Sequence, residues 1–262
     1  MDKSICFSVL AFKPKYQRLA KRLATDVARV SPNTVLVIGT DNPNAFDKCN
    51  NVRAFNLKKQ GILHCYNDKR FVIEKALQQF KTVIQIDADT QIVGALPQTI
   101  APSPGIAGSY LANMVEHSQK YNPGRIGHLN RLARKVGQNL EDATFVGEAL
   151  FAITAEGQQA KAFIQQWDAM ARYLELRGVH SGEGNIIGLA AAAAGLDIAK
   201  PSWMADFKVA TKHMDASQET SAIDSTKYAS WAENKLMRRL SYHYRLNKTR
   251  IIALKDFSFY YQ

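Results

Sequence analysis

The stretch FKTVIQIDADTQIVGALP, residues 80–97, decides how the chain is read. Apolar Val83, Ile84 and Ile86 run into Asp87-Ala88-Asp89-Thr90, and Pro97 closes the apolar tail behind them. A short, nearly continuous apolar run is the mark of a strand covered on both faces of a parallel sheet. The acidic pair therefore lies where a buried strand emerges and the chain turns. In such a turn both carboxylates can reach one hard cation through oxygen, and Mg2+ and Mn2+ suit carboxylate, water and phosphate donors. The plainer reading is that the two aspartates cap the next segment, and for an isolated Asp-x-Asp that reading is favoured.

Upstream, residues 4–12 (SICFSVLAF) read as another buried strand. Tyr16, Leu19, Ala20, Leu23, Val27 and Val30 then recur at helical spacing, with Arg18, Lys21, Arg22 and Arg29 on the opposite face. Ser31-Pro32-Asn33 ends that helix, and residues 34–39 (TVLVIG) form a second apolar strand before a turn at 41–44. Residues 51–56 and 62–66 are weaker strand candidates, and a helix is expected over about 68–80. Strand, helix, strand, helix, strand is the α/β pattern, in which ligands bind at the carboxyl ends of strands.

The second half is more polar. Residues 113–142 carry Lys120, Arg125, Arg131, Arg134 and Lys135, and read as a lid, an acceptor-binding insertion or a solvated helix face. A strand is expected over 148–154, an amphipathic helix over 159–174 and an alanine-rich helix over 181–196. From 235 to 250 the chain holds Lys235, Arg238, Arg239, Arg245, Lys248 and Arg250 and no acidic residue. There is no repeat and no linker, so 1–262 reads as one domain, with halves 1–110 and 111–262.

Composition limits the function classes. In 262 residues, 46% hydrophobic and 22% charged content is globular, and 34 Lys and Arg against 23 Asp and Glu give a formal charge of +11. That surplus points to an anionic partner. Cys6, Cys49 and Cys65 form no disulfide framework or Cys-x-x-Cys motif, so a reducing cytoplasm is expected. Ile5 to Phe12 lacks the flanks of a signal peptide, and the apolar run from Ile186 to Leu196 falls short of the roughly 20 residues a spanning helix needs.

Residues 68–97 resemble the central block of GT-A glycosyltransferases, especially the glycogenin-like and lipopolysaccharide-glycosyltransferase-like family 8, where a basic helix precedes a strand ending in Asp-x-Asp-Thr. The resemblance implies an α/β fold of GT-A type, with a Rossmann-like, mainly parallel mixed sheet flanked by helices. It implies a metal-dependent transfer of a sugar from a nucleotide donor, UDP-sugar first, to an acceptor hydroxyl, with Mn2+ or Mg2+ held by Asp87 and Asp89. Arg70, with Lys69, stands near the family's basic donor-binding position. FVGEALFAIT at 145–154 is similar to the family's acceptor-side strand and places Glu148 at its mouth. HSGEGNIIG at 180–188 falls where the family opens a helix with an acidic or amide motif, which offers Glu183 and Asn185 as contacts to the transferred sugar, although the usual Asp-Gln pair is absent. In SYHYRLNKTR, residues 241–250, His243 matches the family's third metal ligand and Lys248 its diphosphate lysine, without the intervening glycine; His213 competes for the ligand role. The resemblance implies a glycan or lipid-linked acceptor, and a place in cell-envelope or polysaccharide synthesis.

The bland readings stand beside these: Glu183 as a favourable charge in the first turn of a helix, and His243 as a histidine on a basic surface. A dehalogenase-type phosphatase fits poorly, because Gln91 stands where that motif wants Thr or Val. A nucleotidyltransferase on a related fold is the closer alternative, but the loop AFKPKYQRLAK has no glycine. A basic nucleic-acid-binding module is permitted by charge but supported by no motif. Lys235, Arg238, Arg239 and Arg245 also suit peripheral contact with an anionic membrane at its inner face.

Overall fold

In a computed structural model of the protein, which describes residues 4–214, 216 and 228–262 (side chains of the last segment from 235), the apolar runs lie side by side as parallel strands. They are β1 (Ile5–Ala11), β2 (Val35–Thr40), β3 (Val52–Asn56) and β4 (Thr82–Ile86). β1 takes β2 on one side and β4 on the other, in registers that set Phe7 beside both Leu36 and Ile84. A turn at residues 87–89 joins β4 to β5 (Thr90–Ile92), and β6 (Gly105–Gly108) follows. β7 (Leu111–Asn113) and β8 (Thr144–Val146) pair as an antiparallel ribbon. β9 (Leu150–Thr154) lies antiparallel to both β4 and β6, and β10 (Ile198–Ala199) runs parallel to β6. The central seven-stranded sheet has the order β10-β6-β9-β4-β1-β2-β3. It is mixed but mainly parallel, with β9 as the reversed strand.

Period-two alternation sends side chains to two cores. Ile5, Phe7 and Val9 of β1, with Ile84 and Ile86 of β4, face one layer, whereas Cys6 and Val83 face the other. On the first face lies α1 (Lys13–Val30), whose Ala20, Leu23, Ala24 and Val27 form the buried stripe that its helical spacing predicts. On the second face lie α2 (Lys69–Leu77) and, beyond α3 (Met114–Tyr121) and α4 (Ile126–Lys135), the long α5 (Gly157–Glu175) and the alanine-rich α6 (Glu183–Ala193). α7 (Ser202–Val209) returns to the first face with Trp203, Met204 and Phe207. Burying a side chain such as Leu23 contributes about 1.5–3 kcal/mol, so these two apolar layers hold the sheet between helices. Trp167 of α5, fully buried, gives its indole N–H to Asn67 Oδ1 at 2.9 Å, which satisfies its one polar atom.

β11 (Thr211–His213) pairs antiparallel with β5, and the basic stretch forms α8 (Tyr228–Ala253), followed by α9 (Phe257–Tyr261). No helix among the described residues is long and apolar enough to cross a membrane.

Two expectations are corrected, and a choice left open, for residues 113–142, falls to the solvated helix face. Residues 62–66 are not a strand: Ile62 is buried and Leu63 exposed, and the carboxylates of Glu175 and Asp68 take the N–H groups of Ile62, Gly61 and Gln60. The strand expected over 148–154 begins at Leu150, because Glu148 and Ala149 occupy the preceding turn. The polar stretch 113–142 is two helices, and α4 buries Leu129, Leu132 and Ala133 while its cations face outward.

Candidate active site

The chain goes from β1 to β2 and β3 on one side, then crosses back to place β4 on β1's other flank. The crevice at such a reversal, outside the carboxyl ends of the strands, is where open α/β sheets bind ligands. Here the carboxyl ends of β1 and β4 open into a cavity of about 1020 Å3. Its wall includes Phe12 and Lys13 after β1, Asp41 after β2, and Asp87 and Asp89 after β4.

Asp87 and Asp89 sit in the expected turn, closed by Thr90 N–H to Asp87 O at 3.0 Å. Asp89 Oδ2 accepts the N–H of Ala216, and its Oδ1 lies 3.5 Å from His213 Nδ1. One ligand atom each from Asp87, Asp89 and His213 lie within 4.8 Å of one another. His213 arrives through the β5–β11 ribbon, which sets it opposite Thr90, immediately after the aspartates. Two carboxylates and an imidazole form a donor set that Mn2+ or Mg2+ accepts, with the hard oxygens in the majority. His243, the third ligand expected from the sequence, is exposed on α8 and outside this group; the histidine that meets the pair is His213.

Behind the aspartates lies a buried ammonium. Lys69, in the first turn of α2, contacts Asp87 Oδ1 at 2.7 Å, Glu183 Oε1 at 3.2 Å and the Glu148 carbonyl at 3.2 Å. Burial opposes its charge, but Asp87 and Glu183 more than offset that, and its pKa is raised. Glu148 beside them is pushed up to about 7 by burial and by the Glu183 charge, against the pull of Lys69. Glu148 lines the cavity.

Glu183 and Asn185 belong to the first turn of α6 and also line the cavity. Asn185 gives its amide to Gly182 O and takes the Ser118 hydroxyl at 3.4 Å. α6 lies directly on the β8 backbone. A Cβ at Gly184 would come within 2.3 Å of Val146 O, and one at Gly188 within 1.8 Å of Thr144 O.

Arg70 and Lys248 are not brought to the cavity. Arg70 is buried between α2 and α5, bonded to Asp168 at 2.7 and 2.9 Å and to Asn67 O at 2.6 Å. Lys248 bonds Gln60 Oε1 at 2.8 Å, and Arg245 bonds Ile62 O at 3.1 Å, so α8 straps the loop after β3.

Several residues of the cavity were not singled out by sequence. Asp41 accepts the Lys13 N–H at 3.0 Å and the Gln17 amide at 2.8 Å, which holds Lys13 at φ 68°. Its signal was an acid directly after a buried strand, read there as turn chemistry. At the far end, His117 stacks on Phe145 with ring centroids 3.6 Å apart, flanked by Tyr110 and Tyr121. Arg125 is held by the Ser181 hydroxyl at 2.8 Å.

No protein-family model matches the chain, and no curated protein sequence matches it. Solved structures do. Galactosyltransferase LgtC in complex with donor and acceptor sugar analogues aligns with a TM-score of 0.52 and 12% identity, over 92% of this chain and 95% of LgtC. An active-site mutant of LgtC aligns at 0.48 with 9% identity, over 87% and 95%. The bifunctional glycosyltransferase WbbM, in apo form, aligns at 0.45 with 11% identity over 77% of this chain, which spans 39% of WbbM. The likeness to LgtC is one of fold, and the fold is of GT-A type.

Proposed function

We propose that the protein is a metal-dependent glycosyltransferase that moves a sugar from a nucleotide donor to an acceptor hydroxyl in cell-envelope or polysaccharide synthesis. The observation that carries this reading is the convergence of Asp87, Asp89 and His213 in the large cavity at the β1–β4 crevice. The shared fold with a galactosyltransferase solved with donor and acceptor analogues supports it.

Asp87, Asp89 and His213 hold Mn2+ or Mg2+. A cation bound there neutralises charge on a departing nucleoside diphosphate. Lys69 fixes the rotamer of Asp87 by taking one of its oxygens, which leaves the other for the metal. Lys13 and Lys208, both on the cavity wall, offset phosphate charge. Residues 1–110 thus supply most of the donor side, with UDP-sugar the first donor to try.

Residues 111–262 supply the acceptor side. Glu183 and Asn185 orient the transferred sugar, and Glu148, with a pKa of about 7, exchanges the acceptor proton. Tyr110 and Tyr121, each about half exposed, offer flat faces to a glycan or lipid-linked acceptor. α8 presents Leu236, Met237, Leu240 and Tyr244 to solvent beside Arg238 and Arg239, which supports peripheral contact with an anionic membrane at its cytoplasmic face.

The test is a panel of UDP-, GDP- and ADP-sugars with Mn2+, scored by thermal stabilisation and by release of the nucleoside diphosphate. One donor should stabilise the protein in a metal-dependent manner, and Asp89→Asn should remove the metal-dependent part. Equal binding of donor and metal by Asp89→Asn refutes the assignment.

A further inference from the structure

A second cleft, of about 410 Å3, lies between α4, the end of α5 and α9, and shares no lining residue with the large cavity. Its wall carries Arg131, Arg134, Lys135 and Arg177 and no acidic side chain. Two of the cations are fixed in place. Arg177 lies over the Tyr173 ring at 3.5 Å and bonds Tyr260 O at 2.6 Å. Lys135 sits 5.8 Å from the same ring and bonds Ser258 O at 3.3 Å. Lys135 in the last turn of α4 and Arg177 just past α5 suit the helix dipoles, and Arg134 shares that last turn. Arg131 and Arg134 are not anchored as those two are. They stand one turn apart on α4, exposed, and neither side chain makes an ion pair or hydrogen bond with a described residue.

Four like charges around one concave space repel one another, and the repulsion is relieved when an anion sits among them. Planar guanidinium groups bind phosphate oxygens two at a time, and the two anchored groups cost little ordering entropy. We propose that this cleft is a second anion site, taking a phosphate or diphosphate group at a place separate from the transfer chemistry. The group is either soluble, on a nucleotide or phosphorylated glycan, or the headgroup of an anionic lipid. Exposed Phe257 and Tyr261 of α9 stand at the cleft's edge beside it.

The experiment compares the full chain with Arg131→Ser/Arg134→Ser, a pair outside the transfer machinery. One arm titrates sodium pyrophosphate calorimetrically in the presence of EDTA. The other sediments the protein with phosphatidylcholine vesicles, with and without phosphatidylglycerol. At least about tenfold weaker binding by the double variant in either arm is expected, since charge-assisted hydrogen bonds are lost. Loss in the first arm identifies a soluble phosphate, and loss in the second identifies a lipid headgroup. Transfer activity toward soluble substrates should be unchanged. If neither probe binds the parent, or if the double variant binds both as well as the parent does, the proposal is overturned.

Discussion

Lys69 and Arg70 are neighbours in the chain, both cationic and both buried, yet they face different worlds. Arg70 points into the seam between α2 and α5, where Asp168 and the Asn67 carbonyl meet its N–H groups and Arg172 clamps the far side of Asp168. All three nitrogens of the Arg70 guanidinium and both Asp168 oxygens are bonded within the protein. Lys69 points the other way, to Asp87 and Glu183, whose remaining oxygens look into the large cavity. Burial and an ion pair do not separate a structural charge from a working one. What separates them is where the partners' unused lone pairs point.

The sharpest way to break this contrast is Arg70→Ala. It leaves buried Asp68 without its cation and Asp168 with Arg172 alone, and should cost about 3 kcal/mol in denaturant unfolding. Arg70→Lys should recover little, since a point charge cannot reproduce the two-pronged bond to Asp168. Loss of less than about 1 kcal/mol in either would show the seam to be slack. Lys69→Ala should instead lower transfer activity about 100-fold or more. Unchanged transfer activity in Lys69→Ala removes the distinction.

A third prediction concerns the odd member of the sealed side. Burial pushes Glu175 up to about 7, although the Ile62 N–H and Arg70 favour its charge. The folded protein therefore holds a proton that the unfolded chain releases near the ordinary value of 4.5. The contribution of Glu175 to stability is full below that value and is lost as pH rises to 7, by on the order of 3 kcal/mol. Glu175→Gln should flatten that decline in unfolding curves taken from pH 5 to 8; an unchanged slope would place the titration elsewhere. The smallest effects are expected from the histidines. His213→Ala should weaken Mn2+ binding about tenfold, whereas His243→Ala should leave it within about twofold; the reverse order would return the ligand role to α8.

The contrast also explains what could be read from sequence. β1, β2 and β4 were legible because burial on both faces leaves apolar runs with no polar interruption, and the Asp87-Ala88-Asp89 turn stood out against that background. β6 and β10 were not, being short and, in GIAG, half glycine. Their existence depends on β9 arriving antiparallel between β4 and β6. Lys69 and Arg70 were read together, since adjacency in sequence cannot say which residue the helix turns toward the cavity. His243 carried a motif-like neighbourhood and His213 none, because pairing of β11 with β5 decides which histidine meets the aspartates.

The contact between α6 and β8 reaches further than packing. Because the backbone oxygens of Thr144 and Val146 occupy the space where methyl groups at residues 188 and 184 would lie, the helix cannot be thickened on that side without being lifted bodily. Glu183 rides on its first turn, so lifting the helix parts that carboxylate from the Lys69 ammonium. Two hydrogens on a side of the helix that does not line the chamber therefore gauge the distance across its floor.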